Sequence, residues 1–214
     1  MHSFKTFKGL TPMKIAFFGD SLTEGIQGAS YFEILKKKLP EHQLFNFGKG
    51  GDTVISLYKR IRSLDMNSNF DISFLWVGVN DVLVKTSWIY PILKRIRRQP
   101  WAKKPEDFEH YYRSLLDLLK KTSQYLVTVS PLFIGEDIDN TWNKELAELA
   151  KIIKSLSAFY SNTIYFNIQA PFIPLLSKEN TSLKKLHFTL DGVHLNKAGA
   201  DIVANEFQQV ILPT

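Results

Sequence analysis

The chain has 214 residues, 44% hydrophobic and 22% charged, with no cysteine. That length and balance suit a single globular domain, residues 1–214, able to bury its own core. The missing thiols exclude disulfides, thiolate metal sites and a cysteine nucleophile. The net charge of +6 is concentrated in one stretch: no acid lies between Asp81 and Glu106, while Lys85, Lys94, Arg95, Arg97, Arg98, Lys103 and Lys104 are all basic. The N-terminal stretch to Met13 carries Lys5 and Lys8 without a long apolar run, and Ile15–Phe18 is too short for a signal peptide or a membrane span. The cytoplasm is therefore the default expectation.

In chain order, short runs rich in β-branched and aromatic residues predict strands at Lys14–Phe18, Leu44–Phe47, Ile72–Val77, Tyr125–Val129 and Thr163–Phe166. Most are apolar at consecutive positions, as parallel strands covered on both faces require. Helical spacing follows the first strand at Tyr31, Ile34, Leu35 and Leu39, and the second at Val54, Leu57, Tyr58, Ile61 and Leu64. Phe108, Tyr111, Tyr112, Leu115, Leu116 and Leu119 precede the fourth strand; Leu146, Leu149, Ile152, Ile153 and Leu156 precede the fifth. A last helix spans Ala198–Ile211. Alternating strands and helices imply an α/β domain with right-handed crossovers, whose site lies beyond the carboxyl ends of the strands.

Four stretches at that edge carry chemistry. Gly19-Asp20-Ser21-Leu22 puts a hydroxyl at a strand-to-helix turn, with its N–H at a helix N-terminus, where a developing oxyanion is favoured. The plainer alternative is a capping box, Ser21 with Glu24. The glycine-dense turn around Gly51 lets a backbone N–H approach a ligand closely, or is simply a flexible turn or a phosphate cradle, though it lacks the endings of a nucleotide loop. Asn80 can donate an amide to an oxyanion or merely form an Asx-turn with Asp81. Asp191 stands three residues before His194, a spacing that lets a carboxylate fix the tautomer of an imidazole base. The remaining histidines, His2, His42, His110 and His187, lack a comparable acid in a comparable setting along the sequence, and no spacing suggests a metal site.

Together, Gly19-Asp20-Ser21-Leu22, the Gly51 turn, Gly78-Val79-Asn80-Asp81 and Asp191-Gly192-Val193-His194 resemble, in order and spacing, the four sequence blocks of the GDSL, or SGNH, hydrolases. The resemblance runs from Lys14 to about Phe207. It implies a flavodoxin-like three-layer α/β/α sandwich with a five-stranded parallel sheet in the order 2-1-3-4-5. It also implies a serine esterase or lipase without a cofactor: Ser21 as nucleophile, His194 as base and Asp191 as its partner. The Ser21 and Gly51 N–H groups and the Asn80 amide would form the oxyanion hole. Small acyl groups on sugars and lysophospholipids are the substrate classes it suggests. An acyltransferase using the same site, or a non-catalytic binding module, are the rival readings.

The departure from the family is a basic, aromatic insertion at about residues 85–104, placed just after Asn80. Arg95, Arg97, Arg98 and Trp101 are its candidate contacts to substrate or surface. Its mixture of cations with Trp88, Ile89, Tyr90, Ile92, Leu93 and Ile96 suits an anionic lipid surface or an acidic substrate. The simpler expectation is a solvated helix packing its apolar face on the domain. Nucleic acid is not expected, since no recognised module accompanies the charge, and the sequence leaves the oligomeric state open.

Overall fold

A computed structural model describes residues 12–64, 69–86, 88–178 and 186–212. Five parallel strands, β1 (Lys14–Gly19), β2 (Gln43–Gly48), β3 (Phe70–Trp76), β4 (Ser123–Val129) and β5 (Thr163–Phe166), form one sheet in the order β2-β1-β3-β4-β5. The fold is the three-layer α/β sandwich that the motifs imply. The N-terminal stretch with Lys5 and Lys8 lies outside the described residues.

The consecutive apolar positions of β1 are explained by burial on both faces. Phe17 stacks on Phe74 at 4.8 Å and meets Phe207 of α9 (Lys197–Ile211) at 6.2 Å, while its neighbour Phe18 points the other way and stacks on Phe47 at 4.7 Å. On the Phe17 side α9 packs with α2 (Tyr31–Lys38). On the opposite layer α3 (Val54–Arg62) packs with α6 (Pro105–Leu119), and α6 with α7 (Thr141–Ser157). Phe17, Tyr31, Phe74 and Phe207 are fully buried, and aromatic side chains of this size contribute about 1.5–3 kcal/mol each on burial.

The helix starts are written locally. Ser30 Oγ accepts from Glu33 N at the head of α2, Thr53 and Ser56 form a reciprocal capping box on α3, and Asn140 and Asn196 cap α7 and α9. Leu64, assigned to the α3 face by its spacing, lies beyond the end of that helix and is exposed. Short helices α1 (Ser21–Glu24), α4 (Val79–Leu83), α5 (Ile89–Ile96) and α8 (Ile173–Lys178) fill the connections.

Register brings the site together. Gly19 pairs with Gly48 on one side and with Trp76 on the other, so the segments that leave these three strands start level. Gly48 also has a packing reason to be glycine: a Cβ there would run into the backbone N of Glu24.

Candidate active site

Ser21 is the first residue of α1, and its cap is Asp20, whose Oδ1 accepts from Leu22 N at 3.0 Å. The capping-box alternative for Ser21 therefore does not hold. Glu24, which that box would have used, instead accepts from Gly50 N at 2.9 Å and ties α1 to the Gly51 turn. Gly51 has φ +76°, a left-handed conformation that favours glycine. Among the described residues no intramolecular acceptor takes the backbone N–H of Ser21 or of Gly51.

The loop before α9 carries the imidazole. Leu190 N donates to His194 O at 2.8 Å, folding residues 190–194 into a tight turn around Gly192. Within it, Asp191 Oδ1 accepts from Val193 N at 3.0 Å and His194 N at 2.8 Å, while Oδ2 lies 2.7 Å from His194 Nδ1. The other ring nitrogen, Nε2, lies 3.1 Å from Ser21 Oγ. Burial pushes the Asp191 carboxyl up, but the hydrogen bonds from His194 and Val193 outweigh it and hold the group below the usual carboxylate range. The site thus contains a hydroxyl, an imidazole and an ionised carboxylate in one hydrogen-bonded line.

Glu136, in the loop after β4, secures that turn and was not picked out from the sequence. Its Oε1 accepts from Phe188 N, Thr189 N and Thr189 Oγ1, each at 2.8 Å, and its Oε2 from His187 N at 2.6 Å. Gly135 N donates to Gly192 O at 2.6 Å beside it. The available signal was positional: an acid just beyond the carboxyl end of a central strand.

On the other side of Ser21, Asn80 sits in α4 rather than in an Asx-turn. Its Nδ2 donates to Asp20 Oδ2 at 3.3 Å, and Lys94 Nζ approaches its Oδ1 at 3.4 Å. Lys94 also donates to Gly51 O, and Gln99 Nε2 donates to Gly50 O at 2.9 Å. Both Lys94 and Gln99 are buried and belong to the basic insertion. Asp81 closes the arrangement by accepting from Val54 N at 2.9 Å and Ala102 N at 3.1 Å, which fastens the head of α3 and the end of the insertion to one carboxyl. Desolvation pushes Asp20 up to about 6 and Asp81 up to about 7, with Lys94 opposing both shifts. Burial in turn lowers the Lys94 ammonium, against the pull of Asp81, Asp20 and Asp52.

The insertion differs from the simpler expectation of a helix packing its apolar face inward. Trp88, Ile89, Tyr90, Ile92, Leu93 and Ile96 are exposed, Trp88 at 78%, and the buried side chain of α5 is Lys94. Arg95, Arg97 and Arg98 are also exposed, and Trp101 is partly buried with Lys103 Nζ 6.0 Å from its ring. None of these four makes a contact to the serine, the imidazole or Asn80 among the hydrogen bonds of the described residues. Lys94 was missed because a cationic run offers no local mark separating the inward lysine from its outward neighbours. Among the described residues no cluster of acids and histidines could hold a metal ion, and no helix is long and apolar enough to cross a membrane.

Parallel order β2-β1-β3-β4-β5, with serine, asparagine, glycine and histidine at its carboxyl edge, defines the SGNH class of hydrolase. Residues 17–202 match the GDSL-like Lipase/Acylhydrolase family, and the chain belongs to it. Among solved structures it is similar to the acetyl xylan esterase AlAXEase, at 25% identity and a TM-score of 0.78, covering 94% of this chain and 100% of that one. It is also similar to Axe2, an acetylxylan esterase from Geobacillus stearothermophilus, at 22% identity and a TM-score of 0.74 over 93% and 94% of the two chains. A curated relative, an N-acylneuraminate cytidylyltransferase of Escherichia coli, is 26% identical over 183 residues. That alignment covers 82% of this chain and 36% of the relative, so the chain spans about a third of that protein's length. This stretch of chain is thus a carboxylic ester hydrolase domain of that family.

Proposed function

We propose that the chain removes small acyl groups, acetyl foremost, from carbohydrate hydroxyls through an acyl-enzyme on Ser21. The observation that carries the mechanism is the line Ser21 Oγ, His194 Nε2 and Nδ1, and Asp191 Oδ2, with spacings of 3.1 and 2.7 Å. His194 Nε2 takes the hydroxyl proton as Ser21 Oγ bonds to the ester carbonyl carbon. The carbonyl π electrons move to oxygen, and the Ser21 and Gly51 N–H groups and Asn80 Nδ2 receive the oxyanion. Collapse breaks the bond to the sugar oxygen, which leaves with the proton from His194. Water then attacks the acyl-enzyme and gives a proton to His194, which returns it to Ser21 Oγ as the bond from the acyl carbon to Oγ breaks and the acid is released. Asp191 keeps Nδ1 protonated and stabilises the imidazolium in both halves. The acetyl-sugar assignment is supported by the likeness to AlAXEase.

Ser21→Ala should lower kcat for 4-nitrophenyl acetate by several orders of magnitude with the fold retained by circular dichroism. A serine-directed phosphonate should label Ser21 alone in peptide mass spectrometry. A folded Ser21→Ala that keeps most of its activity overturns the acyl-enzyme. For the substrate, rates on acetylated oligosaccharides should exceed those on longer nitrophenyl esters.

One observation favours a second reading, an amphiphilic anionic ester such as a lysophospholipid. The exposed apolar side chains of α5 lie beside exposed Arg95, Arg97 and Arg98, the composition of an interfacial helix. Faster turnover of lysophosphatidylglycerol than of acetylated oligosaccharide would favour this reading over the first.

A further inference from the structure

We infer that the insertion supplies two positioning residues, Lys94 and Gln99, that polarise two of the three amide donors of the oxyanion hole, Gly51 N–H and Asn80 Nδ2, from their far ends. The inference rests on the acyl-enzyme reading above and adds to it the question of what strengthens the donors.

An amide donates more strongly when its own carbonyl oxygen accepts a hydrogen bond, because the N–C–O unit polarises as a whole. Two of the three oxyanion amides are held in this way by the insertion. The Gly51 N–H belongs to the peptide unit whose carbonyl is Gly50 O, and that oxygen accepts from Gln99 Nε2 at 2.9 Å. The Asn80 Nδ2 group belongs to the carboxamide whose Oδ1 faces the Lys94 ammonium at 3.4 Å. The same ammonium donates to Gly51 O, so one cation is fixed between the two donor-bearing residues.

The carboxamide is also orientated. Asp20 Oδ2 lies 3.3 Å from Asn80 Nδ2 and the cation lies on the oxygen side. A flipped amide would put NH2 against the ammonium and oxygen against a carboxylate. One Nδ2 hydrogen goes to Asp20 and the second remains for the substrate oxyanion. The positive charge is held behind the donors that meet the growing negative charge of the transition state, in a buried setting where screening is weak. The cost of burying Lys94, 7% exposed, is offset by Asp20, Asp52 and Asp81, while Arg97 opposes it. Gln99 Oε1 has no hydrogen-bond partner among the described residues, a cost that packing alone does not explain. Residues that only anchored the helix could do so with apolar side chains.

The test is steady-state kinetics on 4-nitrophenyl acetate from pH 6 to 10.5 for the wild type, Ser21→Ala, Lys94→Met, Lys94→Ala, Lys94→Arg and Gln99→Leu. Losing a charged hydrogen bond to the donor amide should cost Lys94→Met roughly tenfold to hundredfold in kcat, with KM within about twofold because the oxyanion forms after binding. Gln99→Leu, which removes a neutral bond, should lose less, roughly threefold to tenfold. Added ethylammonium should restore kcat in Lys94→Ala and have no effect on Gln99→Leu. The wild-type rate should fall on the alkaline side below the ordinary lysine range of about 10.4 as Lys94 loses its proton among Asp20, Asp52, Asp81 and Arg97. Lys94→Arg should keep activity and lose that alkaline fall.

Wild-type kcat in folded Lys94→Met overturns the inference. So does a loss that ethylammonium does not restore, or one that appears as KM alone, since these are the marks of a helix anchor. If Lys94→Met and Lys94→Ala do not fold, Lys94→Arg decides, and an unchanged alkaline fall in that variant overturns the inference. Ser21→Ala separates the two levels: activity retained there removes the acyl-enzyme, whereas an inactive Ser21→Ala with an unaffected Lys94→Met removes only the role of Lys94.

Discussion

The two sides of Ser21 hold their carboxyl groups in opposite ways. On the imidazole side, the Asp191 side chain is 55% exposed and its neighbours hold the group ionised. On the asparagine side, Asp20 and Asp81 are buried and pushed up to about 6 and about 7, with Lys94 as their buried counter-charge. The imidazole side is built mainly from backbone N–H groups donating to Asp191 and Glu136, so its charge is fixed by short local geometry. The asparagine side depends on side chains that meet from α1, α4, α5 and the turn after β2, so its electrostatics depend on burial. The carboxylate beside the imidazole is therefore kept solvated and hydrogen-bonded. The charges around Asn80 are kept dry.

Asp191→Asn should have the largest effect of the variants that sharpen this contrast. It preserves the shape of the turn while removing the anion opposite His194 Nδ1, and kcat should fall by roughly two to four orders of magnitude. A loss below about threefold would show that His194 is held by its turn alone, since a missing carboxylate partner costs far more in serine hydrolases.

Glu136→Ala comes next. It removes every hydrogen bond that Glu136 makes to residues 187–189, and each bond to a charged acceptor is worth about 1.5–3 kcal/mol at most. We expect stability lower by about 2 kcal/mol, after allowing for partial exposure, and kcat lower by roughly tenfold as the His194 turn loosens. Thermal melts and kcat should change together. A destabilised variant with unchanged kcat would mean that the turn holds His194 without its support.

The pH dependence of stability separates the two sides with a smaller effect. Asp20 and Asp81 are raised in the fold, so they stay protonated in the native state after the unfolded chain has released its protons. Stability should therefore fall as pH rises from about 4, the reference aspartate value, through the folded values near 6 and 7. Asp191 is depressed, so its contribution is present above the reference value and is lost as pH falls below it. Lys94→Met removes a cation that holds Asp20 and Asp81 down, so its decline should be steeper and extend to higher pH. Tm curves of the two proteins that stay parallel from pH 4 to 8 would show that Lys94 does not interact with those acids.

The smallest effect on chemistry is expected from Arg95→Glu with Arg97→Glu and Arg98→Glu. All three side chains point outward, so hydrolysis of 4-nitrophenyl acetate should stay within about twofold, as for surface substitutions generally. Binding to phosphatidylglycerol vesicles at low salt should weaken, and the difference should shrink as ionic strength rises. Equal vesicle binding would remove the lipid-surface reading while leaving the acetyl-sugar one untouched.

The strands and the Asp191–His194 pair were legible from local signals, while Ser21 was joined to His194, 173 residues away, by the resemblance of four ordered motifs to one family. Runs such as Ile15–Phe18 and Ile72–Trp76 can only be buried strands of a covered sheet. Asp191 and His194 lie close enough in sequence for one turn to join them. Lys94, Gln99 and Glu136 were not legible, because each acts on a partner far along the chain. Gln99 meets Gly50 across 49 residues, and Glu136 meets His187 across 51. The plainer alternative, a capping box at Ser21-Glu24, fails for the same reason, since Glu24 meets Gly50 N across 26 residues instead of its own helix.

The sequence by itself determined the strands, the turn that pairs Asp191 with His194 and the placement of Ser21 at the head of a helix. Each follows from periodicity or from hydrogen bonds spanning a few residues. Only the tertiary structure decided which cation of the insertion turns inward and which acids lose their solvent. Burial and the pairing of distant charges are properties of the assembled layers, and no window of the chain contains both members of such a pair.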